Sequence, residues 1–378
     1  MSFVHLYHGR EKGLRSQAYD GIRADRNISV TSSLCEMTVQ QNISMAEINF
    51  SLCQGNSSRE EYDHLIRVSD YIKQIYIWVV FAFGFPGNII SAIVVTRMCQ
   101  QRLTTSLFYV GLLAVVDNVA IVLKLVENQS QNRRLAMDDT SCRGLFFLGL
   151  IFSTYANWIL TTLAIERFFA VRYPFKMAVL WTVRKGLVII SCVFVLLCLI
   201  HLHLLWTVIH YEGYTCTLTL EGPSFKAWFY VGSFLYAILP ASCLSICNIL
   251  IIIYVRRSAT RRRALSENHS TTVATRRIEA QLTAVLVTVA VVFVILSIPR
   301  CVFTVAYAYW NPTSCSIGEA RKYFFDVLTS NIADTNHAVN FYLYFLAGRR
   351  FRHAYFSTIR EVSSRKRTPP NTDSDRTR

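Results

Sequence analysis

Seven stretches of this chain, near 71 to 98, 104 to 126, 143 to 171, 186 to 208, 227 to 254, 280 to 309 and 323 to 346, are dominated by aliphatic and aromatic side chains. A hydrocarbon layer about 30 Å thick is crossed by roughly 20 helical residues, so each stretch is long enough to span it. Helices of this length in a soluble bundle keep a polar stripe, whereas 186 to 208 and 280 to 299 keep almost none. Strands of a membrane barrel would alternate in polarity over about ten residues, and these runs do not. The pattern therefore predicts an all-α fold, a seven-transmembrane helix bundle over residues 71–346. It is preceded by a polar segment, 1–70, expected to be extracellular, glycosylated and disordered. It is followed by a short amphipathic eighth helix at the interface, 347–360, and a disordered cytoplasmic tail, 361–378. No repeat with a period of 20 to 50 residues is evident, which removes solenoids and propellers.

Charge sets the expected orientation. After the fifth stretch come Arg256, Arg257, Arg261, Arg262, Arg263, Arg276 and Arg277 against Glu267, and the tail adds Arg349, Arg350, Arg352, Arg360, Arg365, Lys366 and Arg367. Basic residues mark cytoplasmic segments, so the N-terminus is expected outside and the C-terminus inside a plasma membrane. This placement turns the net charge of +15 into a property of a multi-pass membrane protein that meets lipids rather than nucleic acid. The low charged fraction, 17% against roughly 25% in soluble domains, agrees. Sequons begin at Asn27, Asn42, Asn49, Asn56 and Asn128, all on the expected outer side, and are candidate glycosylation sites; a further one, at Asn268, falls on the expected inner side, where glycosylation does not reach. The first 70 residues hold no apolar core of signal-peptide length, so the first span is expected to act as the targeting signal.

Candidate chemistry sits inside the spans. Cys142 at the outer end of span three and Cys216 in the next outer loop are expected to form a disulfide, while the pairing of Cys35, Cys53 and Cys315 stays open. Charged groups within a bilayer usually face the bundle and have a role. Asp117 lies in the middle of span two, with Asn88, Asn157, Asn336, His337 and Asn340 as candidate neighbours, a set able to take a proton or a sodium ion. Arg167, beside Glu166 at the inner end of span three, is expected to be held by Glu166 or by Glu279 of span six. On the outer half, Lys124, Gly149, Arg300, Asp326 and Asp334 are candidates for a ligand pocket, with Arg300 expected either to pair with Asp334 or to meet an anionic ligand group. His201 and His203 are two apart and so face different sides of a helix, which argues against a shared metal. No catalytic motif and no cofactor signature is present, so neither enzymatic activity nor a cofactor is expected.

Gly87-Asn88, the run Leu113 to Asp117, Cys142 with Glu166-Arg167-Phe168, Cys216, Pro240, Pro299 and Asn340 to Tyr344 followed by Phe351-Arg352 together resemble a rhodopsin-like (class A) G-protein-coupled receptor over residues 70 to 358. The resemblance implies that Arg167 is released on activation to face a heterotrimeric G protein, that Tyr344 swings inward beside Asn340, and that Asp117 anchors a sodium-sensitive core. It also implies that Pro240 and Pro299 kink their helices. Departures are Ser297 where a tryptophan is usual, Asn248 for a tyrosine, Phe341 for a proline and Ala156 for a serine. The segment Asn336 to Arg352 is similar to invertebrate FMRFamide-like neuropeptide receptors and to related chemosensory receptors, which makes an extracellular peptide the expected ligand. Gly149 stands where amine receptors carry an aspartate, which disfavours an amine. The alternatives are a chemosensory or small-molecule receptor of the same family and a seven-span transporter or channel. Serines and threonines of the tail are expected to accept phosphate and recruit an arrestin.

Overall fold

The structure, a computed structural model, describes residues 56–101, 103–132, 138–173, 176–177, 181–211, 215–218, 222–264, 270–310, 312 and 316–365. Four helices come first: α1 (Asn56–Gln101), α2 (Thr105–Asn132), α3 (Asp139–Arg172) and α4 (Val183–His201). A helical turn (Leu204–Thr207) leads to β1 (Val208–Tyr211), which pairs antiparallel with β2 (Thr215–Leu218). Helix α5 begins at Gly222–Ser233, passes through a π-helical turn (Phe234–Ile238) and continues as Leu239–Ala264. It is followed by α6 (Ser270–Tyr307), by α7 in two pieces (Ile317–Asp334 and Asn336–Ala347) and by α8 (Arg349–Arg365).

Among the described residues the fold is an all-α bundle of seven packed helices, with one short hairpin. Six of the helices are long and apolar enough to cross a membrane. The seventh is interrupted at Thr335, whose hydroxyl donates to the Asn331 carbonyl at 3.1 Å alongside the backbone N–H bond to the same oxygen. The core runs through Leu113, Ile159, Leu163, Val289, Phe293 and Tyr344, while Ile246, Ile249, Val291, Ile295 and Val302 are exposed. An apolar outer face on otherwise well-packed helices is what contact with lipid requires.

Two predicted boundaries move. Residues 56–70 are helical rather than disordered, because Tyr62, Leu65, Ile66 and Ser69 recur at helical spacing and bury one side of the extension. Ser69, fully buried, also donates to the Leu65 carbonyl at 2.7 Å. At the other end α8 runs to Arg365, five residues past the expected limit of 360, so part of the segment assigned to the tail is helix.

Close packing rests on two glycines. A Cβ at Gly84 would lie 2.8 Å from the Ala338 side chain, and one at Gly186 would lie 2.8 Å from the Tyr109 hydroxyl. These positions let α1 approach α7 and α4 approach α2. Helices α1 and α7 are joined along their length. Tyr323 donates to Asp70 at 2.5 Å, Tyr76 bonds Thr335, Tyr342 donates to the Phe83 carbonyl at 3.1 Å, and Asn88 donates to the His337 carbonyl at 2.9 Å.

Candidate functional site

The polar residues expected inside the bundle fall into three layers. The first is a cavity of about 80 Å³ between α2, α3, α5, α6 and α7, near the end that carries the hairpin. Cys142 of α3 is bonded to Cys216 of β2 with Cα atoms 5.7 Å apart, and Arg143 donates to the Val208 carbonyl at 2.9 Å, so α3 carries the hairpin. Lys124, Arg300 and Asp334 border the cavity together with Trp228, Phe229 and Tyr236. Lys124 is paired with Asp334, linking α2 to α7. Arg300 pairs with Asp326 at 2.6 Å, linking α6 to α7. The alternative of an Arg300–Asp334 pair is therefore not realised, because Asp334 is taken by Lys124. Asp326 is 1% exposed and supports Arg300 without bordering the cavity. Gly149 does not border it either, although the space beside its Cα is open; Leu150 and Ser153 of the same helix do.

Sequence reasoning missed Ser153, Ser233, Ser330, Trp228 and Tyr236. Ser153 lies one turn from Gly149, and i,i+4 spacing would have put it on the same helix face. Trp228 also explains the two histidines. His201 and His203 both meet its ring edge to face, at 5.4 and 4.3 Å between centroids, so residues assigned to different faces converge on one indole. Among the described residues no cluster suited to a metal is found.

The second layer surrounds Asp117, which is 1% exposed. Its Oδ1 meets His337 Nδ1 at 2.8 Å and its Oδ2 accepts from Asn340 Nδ2 at 2.8 Å. The other expected neighbours turn elsewhere: Asn336 donates to Ser297 at 3.1 Å, Asn88 to the His337 carbonyl, and Asn157 to the Tyr236 carbonyl at 2.8 Å. The space beside Asp117 is only about 10 Å³, roughly what a single water needs, and Ala156 brings no oxygen to it. Both carboxylate oxygens are thus engaged by α7, and Asn157, Asn336 and Asn340 border the same small space.

Asn157 instead fixes α5. Proline lacks an N–H and clashes with the carbonyl four residues earlier, which for Pro240 is that of Tyr236. The chain responds with the π turn, in which the Leu239 N–H bonds Phe234 and leaves the Leu235 carbonyl open. Both released carbonyls are taken by α3: Asn157 Nδ2 donates to Tyr236, and Trp158 Nε1 to Leu235 at 3.1 Å.

The third layer lies at the opposite end of α3. The Glu166 carboxylate, 5% exposed, accepts two bonds from Arg167, at 3.0 and 3.2 Å, and a third from Ser106 at 2.5 Å. Of the two expected partners of Arg167, Glu166 is thus in place, while the Glu279 side chain lies outside the described residues. Tyr344 is buried, and its hydroxyl has no partner; Asn248 of α5 is buried with neither side-chain atom bonded. Beneath Tyr344, α8 packs Phe351 inward and leaves Phe356 and Ile359 exposed beside its arginines, with Glu361 held by Arg97 at 2.6 Å.

Of the candidate glycosylation sites, Asn27, Asn42 and Asn49 lie outside the described residues, as do Cys35, Cys53 and Cys315 and the tail beyond Arg365. Asn56 opens α1, and its side chain is likewise outside them. Asn128 corrects the expectation: it lies within α2 rather than in a loop and is 5% exposed, so the folded chain has no room for a glycan there.

A disulfide-tethered hairpin over a charged cavity, a polar layer at mid-bundle and a clamped arginine at the far end are arranged along one seven-helix bundle. The profile of the 7 transmembrane receptor (rhodopsin family) matches residues 87–344, and the chain belongs to that family. Among individual proteins it is similar to neurotensin receptor type 1 of Mus musculus, with 26% identity over 82% of this chain and 83% of the relative. It is also similar to cysteinyl leukotriene receptor 2 of Homo sapiens, with 22% identity over 87% and 93%, and to the allatostatin-A receptor of Bombyx mori, with 21% identity over 84% and 88%.

Proposed function

We propose that this chain is a plasma-membrane receptor, its N-terminus extracellular, that binds a neuropeptide in the cavity beneath the hairpin and transmits the event to a heterotrimeric G protein at the Arg167 end. The observation that carries this reading is the Glu166–Arg167–Ser106 clamp. A buried carboxylate holding a permanently charged guanidinium at the end of the bundle is stable only while intact, because loss of one partner strands the other. Rearrangement at the cavity is communicated along α3, which carries Cys142, Ser153, Asn157 and Glu166 in that order. Release of the clamp exposes Arg167 to the G protein, and Tyr344, whose hydroxyl lacks a partner in this state, moves inward beside Asn340.

The names of the neurotensin and allatostatin-A relatives support a peptide ligand, as does the likeness of Asn336 to Arg352 to FMRFamide-like receptors. The reading contains no catalytic step and no cofactor. Arrestin binding to a phosphorylated tail and contact of α8 with lipid headgroups complete it. A second reading, a receptor for a small lipid-derived molecule, is favoured by the cysteinyl leukotriene relative alone.

The test is guanine nucleotide exchange on purified heterotrimeric G protein by the full-length chain. Glu166→Gln is expected to raise basal exchange several-fold, and Arg167→Ala to reduce it to background at equal expression. Exchange unaffected by both changes would sink the receptor mechanism. Peptide and leukotriene-type ligands assayed side by side separate the two ligand readings.

A further inference from the structure

Arg172 lies five residues beyond Arg167 on α3, which turns it about 140° around the helix and away from the Glu166 clamp. The two arginines are held in different ways. Among the described residues Arg172 forms no ion pair. Its guanidinium carbon lies instead over two rings, 4.7 Å from the centroid of Tyr173, the residue that ends α3, and 4.9 Å from that of Tyr254 on α5. A guanidinium is planar and weakly hydrated, so it stacks on ring faces where an ammonium would stay in water.

The two rings are themselves held. Phe168 and Arg172 are four apart, share one face of α3, and meet the same tyrosine, Phe168 at 6.1 Å from Tyr254. Phe169 and Tyr173, also four apart, stack at 6.4 Å, and Trp181, just before α4, stacks on Phe169 at 6.3 Å. A continuous belt therefore crosses the Arg167 end of the bundle, from the start of α4 over the end of α3 to α5. Phe168 follows Arg167 directly in the chain. The far part of α5 thus leans, through Tyr254, on the residue next to the clamped guanidinium. Moving α5 away from α3 would strip the ring from Phe168 and free the turn that carries Glu166 and Arg167.

An arginine at the end of a spanning helix often does no more than reach for headgroups or water. Arg172 does more, because it joins two helices through faces that only aromatic residues provide. We propose that Arg172 is a positioning residue for activation: by holding α5 to α3 through Tyr254, it keeps the Glu166–Arg167 clamp closed until the ligand acts. This rests on the clamp reading above and adds the contact that restrains it.

The test is a double-mutant cycle in the purified full-length chain. It comprises Arg172→Met, which keeps an unbranched stem, Tyr254→Leu, which keeps apolar bulk, and both together. Each protein is read by basal guanine nucleotide exchange on heterotrimeric G protein and by its melting temperature. Either single change is expected to raise basal exchange about two- to fivefold, the size of one exposed cation–ring contact, and the double change to raise it no further. Tyr254→Phe keeps the ring face and should exchange like the unaltered chain. Additive effects on exchange, or Tyr254→Phe behaving like Tyr254→Leu, would overturn the proposal. So would a fall in exchange with Arg172→Met, the mark of a direct G-protein contact. Coupling in melting temperature without coupling in exchange reduces the pair to packing and overturns it as well. Glu166→Gln in the same assay separates the two readings. Exchange that answers to Glu166→Gln but not to Arg172 or Tyr254 removes the role of Arg172 alone, whereas exchange that answers to none of them removes the clamp with it.

Discussion

Asn157 shows how one side chain can fix a backbone it does not belong to. It donates to the Tyr236 carbonyl that Pro240 leaves without its helical partner. Asn157→Ala should therefore strand that carbonyl and destabilise the bundle by about 1 to 3 kcal/mol, read as a lower melting temperature of the detergent-solubilised chain. The sequence placed Asn157 near Asp117, which is correct to within a cavity wall, but spacing could not reveal that a π turn would present a nearer acceptor. Asp117 was legible as a mid-span charge. Its engagement by His337 was not resolved, because five polar residues competed for it on paper and only three-dimensional packing selects two. Since imidazole and amide occupy both oxygens, replacing choline by sodium at constant ionic strength should leave ligand affinity and melting temperature unchanged. A sodium-dependent shift that vanishes in Asp117→Ala would contradict this account.

At the level of elements, the apolar runs gave seven helices with little ambiguity, because lipid removes the polar stripe that otherwise blurs helix assignment. Ends were harder. The extension of α1 back to Asn56 carries its apolar residues at helical spacing, but they are diluted by Glu60, Glu61, Asp63 and Arg67, so a hydropathy reading tuned to bilayer length passes over them. The α1–α7 contact depends on Gly84, whose added Cβ would press on Ala338. Gly84→Ala is expected to cost about 1 to 3 kcal/mol through overpacking, whereas the same change at Gly144, with no neighbour within 4 Å, should be nearly silent in thermal unfolding. The asparagine at 128 carries a similar lesson. A sequon is read from three letters, but its use depends on whether those letters stay outside a helix. Mass spectrometry of the protein expressed in a glycosylating host should find Asn128 unmodified.

For the molecule as a whole, α7 packs on α1 as well as on α6, so the first and last helices close on each other. The first and last membrane crossings are bonded through Asp70 and Tyr323 at one end and through the Phe83 carbonyl and Tyr342 further along. A ring of this kind does not need its covalent thread to be continuous. Cut the gene between Ala264 and Ser270, where α5 ends and α6 begins, and the two products, α1 to α5 and α6 to α8, still offer each other two separate mating faces. Co-expressed as independent polypeptides they should find one another in the bilayer and copurify through a tag on either piece, and Gly84→Leu in the first piece should weaken that reunion.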